Sequence, residues 1–192
     1  MKHHVSVFLG CFLVLLVAGG PIAYSFYNQS HIRNLRMVRQ NVLYRSGQMS
    51  RSGLKTVLRD YNIKTVISLR DSILANEPPP DWAEEEFCAD EGIKYCRISP
   101  RVWLTPDGKM PAEEGVQQFL AILDDPKNLP ALIHCYAGIH RSGAFTAIYR
   151  MEYEHWSNDE AIAELEGNGY TLLGDEWDLL GYLQQYQPRW RR

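Results

Sequence analysis

One stretch of ten residues, His134-Cys135-Tyr136-Ala137-Gly138-Ile139-His140-Arg141-Ser142-Gly143, sets a cysteine, an arginine and a serine around a glycine. A cysteine attacks as its thiolate, and loop N–H groups, a helix dipole and a nearby guanidinium all favour the ionised sulfur. Five residues separate Cys135 from Arg141, so the loop can curl until both side chains address one tetrahedral anion. Arginine suits that task because its planar fork matches two phosphoryl oxygens, whereas lysine is a point charge. Gly138 lets the backbone approach an oxyanion or take positive φ. Ser142 can hydrogen-bond the sulfur, and His134 is placed to orient the loop through its ring nitrogens. The apolar run Ala131-Leu132-Ile133 before the stretch reads as a buried strand, and the residues from Ile139 onward as a helix. Strand, glycine-containing loop and helix together gather N–H groups and a helix N-terminus around one point, which suits a bound phosphate.

The pattern H-C-x-x-G-x-x-R-S-G after an apolar strand resembles the signature of the cysteine-based protein tyrosine phosphatases, in particular their dual-specificity branch. Leu43-Tyr44-Arg45-Ser46-Gly47-Gln48 is similar to a segment found before the first helix in small members of that branch. The resemblance implies an α/β fold with a mostly parallel central sheet flanked by helices. It also implies hydrolysis of a phosphate ester through a phosphocysteine, with Cys135 as nucleophile and Arg141 and Ser142 assisting. His134, Tyr136, Ala137, Gly138, Ile139, His140 and Arg141 would then bind substrate, with neither metal nor cofactor required.

Such chemistry needs a carboxylic acid to protonate the leaving oxygen and later to take a proton from water. Asp107, in Trp103-Leu104-Thr105-Pro106-Asp107-Gly108, is the only acid of the loop from Ser99 to Pro111, and its place resembles that of the family's mobile acid loop. A plain Pro-Asp-Gly turn is the competing reading. Glu113 and Glu114 are further candidates, better placed as dipole partners in a first helical turn.

Other elements follow from local pattern. Val42-Leu43-Tyr44, Ile63 to Leu69 and Ile93 to Ile98 read as strands, and Ser50 as the cap of a helix carrying Leu54, Val57, Leu58 and Tyr61 on one face. Arg70-Asp71 reads as a structural ion pair, with lining the site as the alternative. Trp82 to Glu91 is a helix stopped by Gly92, and Pro111 to Leu123 another. Ile139 to Trp156 reads as a buried central helix, and Ser157-Asn158-Asp159-Glu160 as a capping box. Strand, helix and crossover of these lengths predict a parallel sheet covered on both faces.

Twenty basic and twenty-three acidic residues give a formal charge of -3, which offers no general attraction for nucleic acid. Cys11, Cys88, Cys96 and Cys135 show no zinc-type spacing, and core roles are expected for Cys88 and Cys96. Residues 1–28 hold an apolar run long enough at about 1.5 Å per residue to span about 30 Å of bilayer, so an uncleaved transmembrane helix is expected, with a signal peptide as the alternative. Arg33, Arg36 and Arg39 against Lys2 and the amino terminus favour a cytoplasmic catalytic domain, with an N-in anchor and an outside catalytic domain as the alternative orientation; a cleaved signal would make it secreted or periplasmic. The expected layout is a linker over 29–40, a catalytic domain over 41–188 and a basic tail over 189–192.

Phosphotyrosine on proteins is the first substrate expectation, joined by phosphoserine and phosphothreonine if the pocket is shallow. The signature carries no lysine, which speaks against heavily charged substrates. A phosphoinositide at the membrane surface is the second expectation. A catalytically silent phosphate-binding module and a sulfur-transfer or arsenate-reducing enzyme are the rivals from other classes.

Overall fold

The computed structural model describes residues 2–72, 76–99 and 101–191, with the side chains of 2–11, 15, 16 and 28–30 outside that description. Five strands form one sheet: β1 (Arg36–Arg39), β2 (Leu43–Ser46), β3 (Thr65–Ser68), β4 (Lys94–Arg97) and β5 (Ala131–His134). Their spatial order is β1-β2-β5-β3-β4; only β1 runs antiparallel to its neighbour. The expected mostly parallel sheet is present.

Alternate residues of the strands face opposite layers, as the period of two requires. Leu43, Ile67, Ala131 and Ile133 join the larger core with α4 (Glu113–Asp124), α5 (His140–Tyr153), α6 (Asn158–Gly167) and α7 (Trp177–Gln185). Tyr44, Val66 and Leu132 pack with α2 (Arg51–Asp60) and α3 (Trp82–Asp90) on the other face. Both predicted caps form: Ser50 accepts from the N–H of Gly53, and Ser157 and Glu160 make a reciprocal box. Gly92 follows α3 with φ of 70°.

Several expectations change. The segment read as a linker contributes β1, paired with β2 from Arg36 against Arg45. The residues read as a basic tail form a 3-10 turn, Arg189–Arg191, docked on α5: Arg189 Nε lies 2.9 Å from buried Glu152, and Trp190 Nε1 donates to the Met151 carbonyl at 2.8 Å. A buried carboxylate needs a cation, and Arg189 supplies it. Arg192 lies outside the described residues.

Residues Lys2–His31 form one helix, α1. The transmembrane span expected there is not shown: among the described residues no helix is long and apolar enough to cross a membrane. The apolar side chains 5–11, 15 and 16 lie outside the described residues, and the described remainder is interrupted by Gly19, Gly20 and Pro21.

Candidate active site

The carboxyl ends of β2, β3 and β5 meet at one level, because Ser46 and Ser68 both pair in register with His134. Ligands of open parallel sheets bind at such ends. Cys135 follows immediately and is buried. Residues 135–139 then fold back on its sulfur: the Gly138 N–H donates to Sγ at 3.2 Å, and Ser142 Oγ, from the first turn of α5, lies 3.5 Å away.

Gly138 makes this fold-back feasible. Its φ is +76°, and a Cβ there would stand 2.3 Å from the Gly47 nitrogen and 2.5 Å from the Ser46 carbonyl carbon. The loop is clasped from outside by groups that the sequence reading did not assign. Gln48 N donates to the Tyr136 carbonyl at 3.0 Å and Asn34 Nδ2 to that of Ala137 at 2.8 Å. The Leu69 N–H donates to the His134 carbonyl at 2.9 Å.

The predicted site residues separate into groups. Cys135, Gly138 and Ser142 converge. Arg141 stands at the exposed rim with Nη1 donating to the Leu69 carbonyl at 3.2 Å, beside a hollow walled by Leu69, Ile98, Trp103 and Phe145. Ile139 packs into the core, and His140 stacks on Tyr170 with centroids 4.2 Å apart and planes 3° apart, so neither side chain turns into the cradle. Tyr136 is 60% exposed at the mouth.

His134 does not orient the loop through its ring. The ring is buried; Nε2 lies 2.7 Å from Glu84 Oε1, off the line of a hydrogen bond, and neither nitrogen has a hydrogen-bond partner among the described residues. Asp81, Glu84 and His134 bring donor atoms within 4.8 Å of one another, the spacing of a cation site. The donor set does not fit one, because Asp81 already accepts from Ser68, Tyr95 and Arg97, whose charge neutralises it. Burial alone would raise the Asp81 carboxyl, but those three donors outweigh it and hold it below the usual carboxylate range.

Asp107 lies apart from the cradle in its described contacts. The loop base is anchored, with the Trp103 ring 5.6 Å from Phe145 and 5.3 Å from Tyr182. The tip is a tight turn with the Thr105 N–H donating to the Lys109 carbonyl at 2.9 Å and Gly108 at φ of 80°. Asp107 sits exposed on that tip, 2.7 Å from Lys109 Nζ and bonded by the Thr105 hydroxyl. Lys109 first, then Thr105, hold its carboxyl below the ordinary value. Nor do Arg70 and Asp71 form the expected ion pair: Arg70 donates to Gln48 Oε1 at 2.9 Å, while Asp71 accepts from Ser99 and from the Ser72 N–H.

A family model described as PTP-NADK, a DSP-PTPase phosphatase fused to NAD+ kinase, matches residues 24–174. The chain belongs to this family. The match takes in β1 to β5, the cradle and Asp107, so the DSP-PTPase resemblance extends well beyond the signature. Among curated relatives, OCA1 of Mycosarcoma maydis, named as a candidate tyrosine-protein phosphatase, is 28% identical over 148 residues, 75% of this chain and 87% of OCA1. The chain spans between 7% and 87% of the length of the curated relatives it matches. The crystal structure of TpbA from Pseudomonas aeruginosa superposes with a TM-score of 0.61 at 24% identity, over 81% of this chain and 86% of that one. The catalytic core of the PP-IP phosphatase SIW14 from S. cerevisiae, in complex with citrate, gives 0.61 at 20% identity, over 82% and 87%. Both structures share the fold of this chain.

Proposed function

We propose that the chain is a metal-independent phosphatase that cleaves phosphotyrosine, and phosphoserine or phosphothreonine where they reach the sulfur, through a phosphocysteine. The observation that carries this reading is the convergence of the Gly138 N–H and Ser142 Oγ on Cys135 Sγ at the end of β5. Cys135 Sγ attacks phosphorus in line and the ester P–O bond breaks. Loop N–H groups and the Arg141 fork hold the phosphoryl oxygens, while Asp107 gives its proton to the leaving oxygen. Water then attacks phosphorus, returns a proton to Asp107 and releases the thiolate, stabilised by Ser142. Asp107 performs this role only after its loop tip leaves Lys109, since an ionised carboxylate has no proton to give.

The test uses the full chain with p-nitrophenyl phosphate and a chelator. Turnover that vanishes in Cys135→Ser supports the nucleophile, and a loss in Asp107→Asn that is steeper on phenyl phosphate, a poorer leaving group, than on p-nitrophenyl phosphate supports the acid; full activity in Cys135→Ser sinks the scheme and brings the binding-module reading forward.

A second reading is a phosphoinositide substrate at a membrane. It is supported by α1, whose Phe12, Val14, Val17, Ile22 and Phe26 stand exposed. On this reading α1 anchors a cytoplasmic domain, with Arg33, Arg36 and Arg39 on its inner side. Protease digestion of sealed vesicles checks the topology: protection of the carboxyl-terminal domain on the wrong side refutes it.

A further inference from the structure

The mouth of the cradle carries cations that the signature does not contain. The guanidinium carbon of Arg33 lies 4.9 Å from the Tyr136 ring centroid and that of Arg70 lies 5.3 Å from it. Arg33 arrives from the end of α1 and Arg70 from the end of β3, so two distant segments deliver positive charge to the residue after the cysteine. Neither arginine has a carboxylate within ion-pair distance among the described residues, and the same holds for Arg141. The nearby acids are engaged elsewhere: Asp71 accepts from Ser99 and Ser72, and Glu84 from Gln48.

Both arginines are held in place, yet most of their donors are unused. Arg33 donates from Nη1 to the Tyr136 carbonyl at 3.5 Å, and its stem lies over Gly47, where an added Cβ would meet Arg33 Cγ and Cδ at 2.7 Å. Arg70 donates from Nη1 to Gln48 Oε1, and the Gln48 amide is fixed in turn by Glu84. A guanidinium has five N–H donors; Arg33 spends its described bonds on Tyr136 alone, at the carbonyl and the phenol side chain, and Arg70 makes one, to Gln48. Stacking on an aromatic ring orders such a fork before any anion arrives. The chain as a whole is acidic at -3, so this positive mouth is a local arrangement.

The geometry points to a second-anion subsite formed by Arg33, Arg70 and Tyr136 beside the cradle, which selects substrates carrying a second phosphate next to the one being cleaved. The inference rests on the phosphatase reading and adds a substrate class to it. It also answers the missing lysine of the signature, because the extra charge comes from segments outside it.

The experiment measures kcat/KM of the full chain, as wild type and as Arg33→Gln, Arg70→Gln and both conservative lysine variants. Substrates are p-nitrophenyl phosphate, a soluble inositol polyphosphate with adjacent phosphates, phosphatidylinositol 4,5-bisphosphate in phosphatidylcholine vesicles, and a phosphotyrosine peptide with acidic neighbours. For a substrate with a second phosphate, the ratio to p-nitrophenyl phosphate should fall about tenfold in each Gln variant, mainly through KM, as expected for losing a charge-assisted hydrogen bond. The lysine variants should recover part of it, and added salt should shrink the effect. A fall confined to the soluble arm identifies a free polyphosphate; one confined to vesicles identifies a lipid headgroup; either upholds the subsite. A fall confined to the peptide, or an unchanged ratio everywhere while p-nitrophenyl phosphate is still cleaved, overturns the subsite and leaves the phosphatase reading intact. Absence of turnover on every ester by folded wild type overturns both.

Discussion

The cradle and the acid loop are built on opposite principles. Around Cys135 the contacts are made by backbone groups and buried atoms, and Gly138 is locked by a close approach to Gly47. Around Asp107 only the base is fixed, through Trp103, while the tip is exposed and its carboxylate is tied to Lys109. Donors aimed at developing charge must be in place beforehand, because their value lies in needing no reorganisation during the reaction. A proton donor has the reverse requirement: it must meet the leaving group and then water, and a loop that opens and closes serves both. On the proposed scheme the backbone part of the cradle is therefore finished without substrate, whereas the Arg141 fork, turned to the Leu69 carbonyl, and the proton-transfer loop are not.

That contrast can be broken by mutation. Removing the nucleophile in Cys135→Ser should lower kcat on the order of 10^4-fold or more, read by steady-state hydrolysis. Arg141→Lys should cost about 10^2 to 10^3-fold in kcat, since a point charge cannot replace the fork. Gly138→Ala should cost about 2–4 kcal/mol of unfolding free energy, in chemical denaturation, together with most activity. By contrast Gly108→Ala, at the loop tip with open space around its Cβ, should cost less stability despite its positive φ.

Asp107→Asn should reduce kcat about 10^2-fold for poor leaving groups and less for p-nitrophenolate, which needs little protonation. Lys109→Met releases the hold on Asp107, so the alkaline-side limb of the pH–rate profile, where the general acid loses its proton, should move upward; an unmoved limb would show that Asp107 is not the titrating group. The smallest effect concerns the frame. Asp81 has a folded value below its unfolded one of about 3.9, so its stabilisation is present above that pH and is lost as pH falls through the folded value. Asp81→Asn should therefore destabilise at neutral pH, with the difference from wild type shrinking below about pH 4.

Much of the frame was legible because its signals are local. The run Ala131 to Ile133, the caps at Ser50 and Ser157 and the stop at Gly92 act within a few residues of themselves. β1 was not legible: Arg-Met-Val-Arg is a short, charged edge strand with only Val38 buried, the form that avoids stray pairing and that also hides from hydrophobic pattern. Arg70 and Asp71 looked like an ion pair because they are adjacent, yet neighbours in extended chain point to opposite sides. Within the site, the cradle's sulfur contacts are separated by three and seven residues, and the motif displays them. Arg33 and Asn34 reach the same loop across 103 residues, and nothing nearby in sequence announces them.

The clasp of residues 33 and 34 on the Tyr136 and Ala137 carbonyls sets how far the chain can be trimmed. A fragment begun at Asn41 would discard the edge strand and leave two loop carbonyls facing water. One begun before His31 keeps both, as well as the bond from the Ser50 N–H to the His31 carbonyl. The same short distance works in the other direction: Arg33 follows the last residue of α1 by two, so the direction in which α1 leaves the domain and the placing of the Tyr136 carbonyl are set by one short piece of chain.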